Sequence, residues 1–423
     1  MLTSKFTRLA LLGAALFSAS QAFAQDSGPL LDALVRKGIL NDQEAEEMRA
    51  DLIRDNNTIP AKAIAGGKST DRISVGMRMQ IQYANLDTNI DGVAVGPVAT
   101  SHFFLRRMYL SLKAGIGGNW GANMTYDLAS GSYDDANIEW KPTADLVFNF
   151  GLRKVNLGYE ERATSANIRS IERSIVTRYF VESNNGRRLG AASYRIGAFL
   201  DGKRELSSTY GLVYSVAVTS PERNESLTGA SSAGDSTNNG RLALWGNVGL
   251  TGKFANNGTW IAGVGAGLLP DQGGFGVANL GKGFDLNVYS AYTDITSGRF
   301  SLMAEYLTAD VKRGASATAD AKPYGYYIQP SYLVTDTVEA VLRFASLDTD
   351  HRGVSLSDVV RSSASGGTMN KAIEWFGGAN WYLRGNDLKY QLGVVYGKTK
   401  DTVTGAPAAA KVLGVRSQMQ LQF

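Results

Sequence analysis

RISVGMRMQIQYANL, residues 72–86, and LGVRSQMQLQF, residues 413–423, decide the fold. In the first, Ile73, Val75, Met77, Met79, Ile81 and Tyr83 alternate with Ser74, Gly76, Arg78, Gln80 and Gln82. In the second, Leu413, Val415, Met419, Leu421 and Phe423 alternate with Gly414, Arg416, Gln418, Gln420 and Gln422. A period of two puts each set on one face of an extended strand. One face is then apolar and the other carries amides and guanidinium groups, over a length sufficient for a tilted strand to cross a bilayer. A soluble sandwich buries its inward face and rarely keeps glutamines there so regularly, whereas a strand between lipid and a wet lumen does so along its whole length. The chain also stops on an aromatic residue directly after the last such strand, as outer-membrane barrels typically do.

Working outward, similar segments occur at about 102–115, 119–128, 133–141, 144–154, 190–201, 207–219, 241–253, 258–269, 282–293, 299–311, 323–333, 336–349, 371–382 and 387–400. With the two ends this gives an all-β fold, a 16-stranded antiparallel transmembrane β-barrel, the even number that closure with both ends on one side requires. The tight turns GIGGN (115–119), KPTAD (141–145), FANNG (254–258), DITSG (294–298) and LRGN (383–386) alternate with long polar connections, the rhythm of periplasmic turns and extracellular loops. Aromatic residues such as Trp120, Tyr126, Trp140, Tyr289, Tyr292, Tyr306, Tyr324, Tyr332, Trp381 and Tyr396 fall toward strand ends, where interfacial girdles sit. Pro330 breaks the pattern, because proline cannot donate to a ladder, and a bulge or strand end is expected there.

The barrel domain accordingly spans 72–423. Before it, Lys5 and Arg8, the apolar run Leu9–Phe17 and the Ala22-Phe23-Ala24 site read as a signal peptide over 1–24. Residues 25–71 read as a short N-terminal periplasmic helical segment with a polar linker. Within 28–55, Leu31, Leu34, Val35, Ala45, Met48 and Leu52 recur at helical spacing, and Asn41 with Glu44 forms a capping-box signature. Self-association, docking on the barrel, cell-wall contact or a loosely ordered tail are all open for this segment.

No apolar run is long enough for a transmembrane helix. The absence of cysteine excludes disulfides, thiolate metal sites and a cysteine nucleophile. His102 and His351, the two histidines, lie in no metal-ligand or hydrolase motif, so neither an enzyme site nor a metal nor a cofactor is expected. A net charge of +4, two units of which leave with the signal, gives no reason to expect nucleic acid. Placement of charge says more. Over 151–189, eight cations (Arg153, Lys154, Arg162, Arg169, Arg173, Arg178, Arg187, Arg188) face four anions (Glu160, Glu161, Glu172, Glu182). This third loop, about 155–189, is where a constriction is expected, with Arg162, Arg169, Arg173 and Arg178 as an anion path, since a guanidinium stays charged and pairs planar oxyanions. By alternation Arg78, Arg107, Lys113, Arg153, Arg195 and Arg416 are expected to face the lumen, as are the acidic Asp127, Asp285, Glu305 and Glu339. Pairing between loop arginines and glutamates, which would merely stiffen the loop, is the competing reading.

HFFLRRMYLSLKAGIGGNWGANMTYDLA (102–129), DDANIEWKP (134–142), FGLRKVNLGYEE (150–161), SIERSIVTRYF (170–180) and GGANWYLRGND (377–387) resemble the phosphate-selective porin O and P family. The LRR at 105–107 and IERS at 171–174 sit in the family's order, and ALVRKGILNDQEAEEMRADL (33–52) is similar to its leader segment. The resemblance implies a homotrimeric outer-membrane porin of a Gram-negative-type bacterium. It would contact outer-membrane lipid and lipopolysaccharide and pass small anions such as phosphate through a pore narrowed by its third loop. It also places Arg107 and Lys113 in the LRR strand and Arg162, Arg169 and Arg173 in the constricting loop. A general diffusion porin and a structural or adhesive barrel tethered to the cell wall are the alternatives.

Overall fold

The computed structural model describes residues 72–91, 98–182, 188–221, 241–255, 258–272, 284–312, 320–361, 368–402 and 409–423. The expected signal peptide and periplasmic segment lie outside them. The strands are β1 (Arg72–Ile90), β2 (Val98–Ile116), β3 (Trp120–Asp127), β4 (Ser132–Thr143), β5 (Leu146–Lys154), β6 (Tyr194–Glu205), β7 (Tyr210–Thr219) and β8 (Ala243–Lys253). They continue as β9 (Thr259–Gln272), β10 (Phe284–Ser297), β11 (Phe300–Lys312), β12 (Tyr324–Leu333), β13 (Val338–Asp348), β14 (Met369–Arg384), β15 (Leu388–Thr402) and β16 (Ala409–Gln422). Each pairs antiparallel with its sequence neighbours, and β1 pairs with β16 to close the barrel. At the seam, Met77 N–H donates to the Phe423 carbonyl (3.1 Å) and Phe423 N–H returns to that of Met77 (3.0 Å).

Alternation sorts the faces as the sequence predicts. On β1, Gln80 and Gln82 are fully buried inside the barrel while Ile81 between them is exposed on the outside. Trp120, Trp140 and Phe148 stack across three strands on the outer face beside the short turns (5.7 and 5.1 Å between centroids), as an interfacial girdle requires.

Four local expectations are corrected, the first being Tyr292, which is not at an interfacial girdle but buried inside the barrel, stacked on Tyr159 at 4.7 Å. Pro330 makes neither a bulge nor an end. The ladder to β13 is interrupted between Ile328↔Phe344 and Ser331↔Val341 with register unchanged, so the missing donor is absorbed by one gap. Asp285 shares the parity of exposed Tyr289, not of buried Leu286 and Val288, and so lies on the outer face. Nor is the lumen face polar throughout. Toward the long connections, Leu286 and Val288 of β10 and Leu307, Ala309 and Val311 of β11 point inward and are essentially inaccessible. They face protein rather than water, because connections between strands fold back into the barrel and build an apolar core there.

Candidate functional site

The β5–β6 connection, residues 155–193, is the main occupant of the lumen. It turns inward at Gly158, whose φ of 79° suits glycine and where an added Cβ would meet the Val181 side chain at 2.8 Å. A short helix follows, α1 (Tyr159–Arg162), whose leading Tyr159 and Glu160 N–H groups donate to Glu305 of β11 (2.6 and 3.4 Å). A second helix, α2 (Ile175–Phe180), is capped by the Ser174 hydroxyl accepting from Thr177 N–H (3.1 Å). Val155, Leu157, Ile171, Ile175, Val176, Tyr179, Phe180 and Val181 are inaccessible and pack against the apolar inward residues of the wall.

A belt of wall amides holds the loop between its helices. Gln82 donates to Gln418 (2.8 Å), Gln418 to Gln391 (2.8 Å), Gln391 to Asn380 (2.8 Å) and Asn380 to the Glu339 carboxylate (3.0 Å). Every donor points the same way across β1, β16, β15, β14 and β13, ending on an acceptor-only group. Their spare donors and neighbours reach loop backbone. Gln80 donates to Ser165 O (3.1 Å), Lys389 Nζ to Ala166 O (2.7 Å) and Ile168 O (3.1 Å), and Gln391 to Arg169 O (3.1 Å). A loop inside a barrel has few backbone partners of its own, so these wall donors satisfy carbonyls that burial would otherwise leave unpaired.

Charge fixes the rest. Arg343 of β13 lies between Glu160 (3.2 Å) and Glu374 of β14 (2.6 Å), and donates as well to Ser170 Oγ and Glu172 O. Arg173 and Lys154 both pair with Glu161 at 2.9 Å. Arg106 grips Glu172 with two bonds (2.7 and 3.1 Å). A second connection, between β13 and β14, joins through a third helix, α3 (Leu356–Val360); Val354 just before it and Leu356 and Val360 within it are buried in the same core. Arg361, left-handed at φ 57°, closes that helix and reaches Glu172 (3.1 Å) and Glu182 (3.2 Å). Arg178 returns a bond to Asp358 O (2.8 Å), and Arg416 binds the carbonyls of Val360 and Arg361.

These contacts set the loop's protonation. Burial pushes the Glu172 carboxyl up, but Arg106 and Arg361 outweigh it and hold it well below the carboxylate range. Glu182 is likewise held low, burial being overcome by Arg178 and Arg361. Burial drives the Tyr179 hydroxyl up to about 12. Among the described residues no group of acidic and histidine side chains is arranged to hold a metal ion.

A family model for the phosphate-selective porin O and P matches residues 73–423, almost the whole barrel. The chain belongs to that family. No curated protein matches it. Among solved structures it is similar to the anion-selective porin of Comamonas acidovorans, at 13% identity and TM-score 0.52, covering 83% of this chain and 100% of that one. It is also similar to OprB of Pseudomonas putida, at 11% identity and TM-score 0.50, covering 84% and 94%. At such identities the likeness establishes the barrel fold. As a member of this family the chain is an outer-membrane porin of Gram-negative bacteria.

Within this porin the ten cations singled out from sequence all lie on or in the lumen, but in different roles. Arg162 and Arg169 keep partial solvent access. Arg162 stacks on Tyr159 and Tyr292 and donates to Asn247 (3.0 Å), while Arg169 pairs with Glu339 (3.2 Å) and Asp294 (3.6 Å). Arg173 is buried in its pair with Glu161, and Arg178 is buried beside Glu182 (3.9 Å) and the Asp358 carbonyl. Arg78 reaches Ser165 and Gln422, Arg107 donates to Gln80 (2.8 Å), Arg153 pairs with Asp201, and Lys113 stands exposed on the inner face near the short turns. Arg195 spends its donors on the carbonyls of Gly190, Ala192, Tyr194 and Pro221, tying down the loop's exit. Of the acids, Glu305 and Glu339 face the lumen, and Asp127 caps the β3–β4 turn through Ala129 N–H and Ser130.

Strict alternation missed Arg106. It sends Arg106 outward if Arg107 points in, yet β2 carries a bulge: Gln80 pairs with Arg107 and Ile81 with Leu105, so one residue is extra. Both arginines of the LRR motif therefore reach inward. Arg343, Lys389 and Arg361 were also missed. The first two were legible as cations in register with lumen-facing neighbours, whereas nothing local announced that the β13–β14 connection enters the barrel.

Proposed function

We propose that this porin passes small hydrophilic solutes with a preference for anions, phosphate or related oxyanions, through a constriction at its third loop. The observation that carries the reading is Arg162. Its guanidinium is partly solvent-exposed in the lumen, is held by two tyrosine rings and neutral oxygens, and has no carboxylate within ion-pair distance among the described residues. A cation so placed keeps its field for a passing solute instead of spending it on a neighbour. Arg78 and Lys113 add positive charge along the inner wall of β1 and β2. Arg173 and Arg178 support the path at one remove, by holding the loop that presents Arg162 and Arg169. Homotrimer formation belongs to the same proposal: β3 and β5 are among the shortest strands, and exposed Phe103, Ile138 and Phe150 give this side of the wall an apolar surface fit for a second copy.

A weakly selective diffusion porin is the second reading, favoured by the pairing of Arg169 with Asp294 and Glu339. Planar-bilayer recording separates the two. Zero-current potentials in a KCl gradient should show anion selectivity that falls in Arg162→Ala/Arg169→Ala, and added phosphate should reduce chloride current in the wild type alone. Phosphate-insensitive, unselective current in the wild type establishes the diffusion porin, and no current at all a structural barrel.

A further inference from the structure

Four lysines gather on the outer surface where β14, β15 and β16 reach the long connections. Lys371 lies directly opposite Lys400, and Lys398 directly opposite Lys411. Their chain neighbours Ala372, Thr399, Ala410 and Val412 are buried inside, so the lysines project outward. Directly opposed residues stand about 5 Å apart at Cβ, and like charges there repel. Compensation is sparse. Lys371 pairs with Asp348 at 3.4 Å, but among the described residues no carboxylate lies within ion-pair distance of Lys398, Lys400 or Lys411. The connecting segments 362–367 and 403–408 contain no acidic residue, while Asp401 follows Lys400 and Asp87 lies opposite Leu413, one diagonal from Lys411.

On the same strands, two to four residues further into the wall, the outer face turns apolar: Trp375, Val394, Leu413 and Val415 are exposed there. Cations set directly above a lipid-facing apolar strip match a molecule with phosphates at one end and acyl chains at the other. A free oxyanion would use only the first of these. We propose that this patch docks the phosphorylated headgroup of an outer-leaflet glycolipid, with the lipid's chains lying along β14–β16. The inference rests on the outer-membrane placement of the porin and not on what crosses its lumen.

The test is native mass spectrometry of the full-length protein in detergent with diphosphorylated lipid A, against lipid A stripped of both phosphates. Wild type should retain the phosphorylated lipid, and Lys371→Gln/Lys398→Gln/Lys400→Gln/Lys411→Gln should lose at least roughly tenfold in retention. A Lys312→Gln/Lys322→Gln variant, altered on the neighbouring rim, should retain lipid as wild type does. Inorganic phosphate in excess should not displace the lipid. Equal retention by the quadruple variant, equal retention of the stripped lipid, or full displacement by phosphate overturns the proposal. Replacing the four lysines by arginine should restore binding, which separates lost charge from lost folding, and unchanged single-channel conductance of the quadruple variant keeps this result independent of the pore reading.

Discussion

Arg343→Ala should release the third loop while leaving the barrel closed. Arg343 is buried at the meeting of Glu160 and Glu374, both also buried, and it joins the loop to the β13–β14 wall. Removing it leaves two buried carboxylates facing each other with no cation between them, and strips Ser170 Oγ and Glu172 O of a donor. Breaking a buried pair in this way costs about 3–5 kcal/mol. Because the wall ladder does not depend on this side chain, the cost falls on docking, and the ratio of undocked to docked loop rises by roughly two hundred- to several thousandfold. Trypsin reads that ratio, since Arg173 and Arg178 are buried in the docked loop and cleavable only when it opens. Cleavage of the folded barrel should accelerate by a comparable factor, and single-channel records should become larger and noisier. Arg343→Ala/Glu160→Gln/Glu374→Gln, which removes the charges as well, should recover most of the protection. Unaltered cleavage and conductance in a barrel that remains intact would refute the reasoning, as would a triple variant no better than the single.

Two further outcomes follow from the same contacts. Glu172 and Glu182 have carboxyls held low, so their contribution to docking is complete above the ordinary carboxylate value near 4.3 and is lost only as pH falls through the depressed one; the loss of tryptic protection in Glu172→Gln/Glu182→Gln relative to wild type should therefore be the same at about pH 7 and pH 5, and a smaller loss at pH 5 counts against it. In Arg106→Ala/Arg361→Ala the two largest opposing charges are gone and only Arg107 and the Gln82 amide act against burial, so the Glu172 carboxyl rises and the sign reverses: the loop should be loose at neutral pH and tighten on acidification, measured as falling current noise. Gln391→Leu cuts the amide chain at its middle, takes the acceptor from the Gln418 amide N–H and the donor from the Asn380 amide oxygen and the Arg169 carbonyl, at about 1–3 kcal/mol each. Tryptic cleavage at Arg169 should quicken with little change in barrel melting, and a lowered melting temperature with unchanged cleavage would place the glutamines in wall stability instead.

The strands were legible because lipid imposes a strict rule on one face of each. An outward position within the membrane span must be apolar, so Ile73, Val75 and Met77 or Leu413, Val415 and Met419 announce themselves one at a time without reference to any partner. The lumen imposes no such rule. Gln82 and Gln418 read correctly as inward, yet an amide bonds a water and a loop carbonyl equally well, so the residue type could not say which it meets. One signal was available. At the long-connection end of β10 and β11 the pattern inverts, with Leu286, Val288, Leu307 and Val311 inward and Asn287 and Asp310 outward. Apolar residues on the inner face of a water-filled barrel need something dry to pack on, and that requirement implies inserted segments. The bulge at Arg106 left no comparable trace, since a bulge arises from pairing between two strands and is invisible in either alone.

The inserted loops also explain why eight cations in the third-loop region do not add up to a field of that size. Arg173 is matched by Glu161, and the wall's Arg343 by Glu160 and Glu374, so the lower part of the loop is close to neutral where it is most deeply buried. Around the α2–α3 seam the balance differs, with Arg106, Arg178, Arg188 and Arg361 gathered about Glu172 and Glu182. Positive charge therefore concentrates where the two connections meet and again at partly exposed Arg162, with a neutral, tightly packed segment between. On the proposed anion reading these would act as separate stations. An ion leaving the first would be drawn to the second and held firmly by neither, because every guanidinium at the seam already shares a carboxylate and Arg162 is bound only to neutral groups. A single dense cluster of unpaired arginines would instead trap the anion it attracts, and weak, spaced sites are what conduction needs.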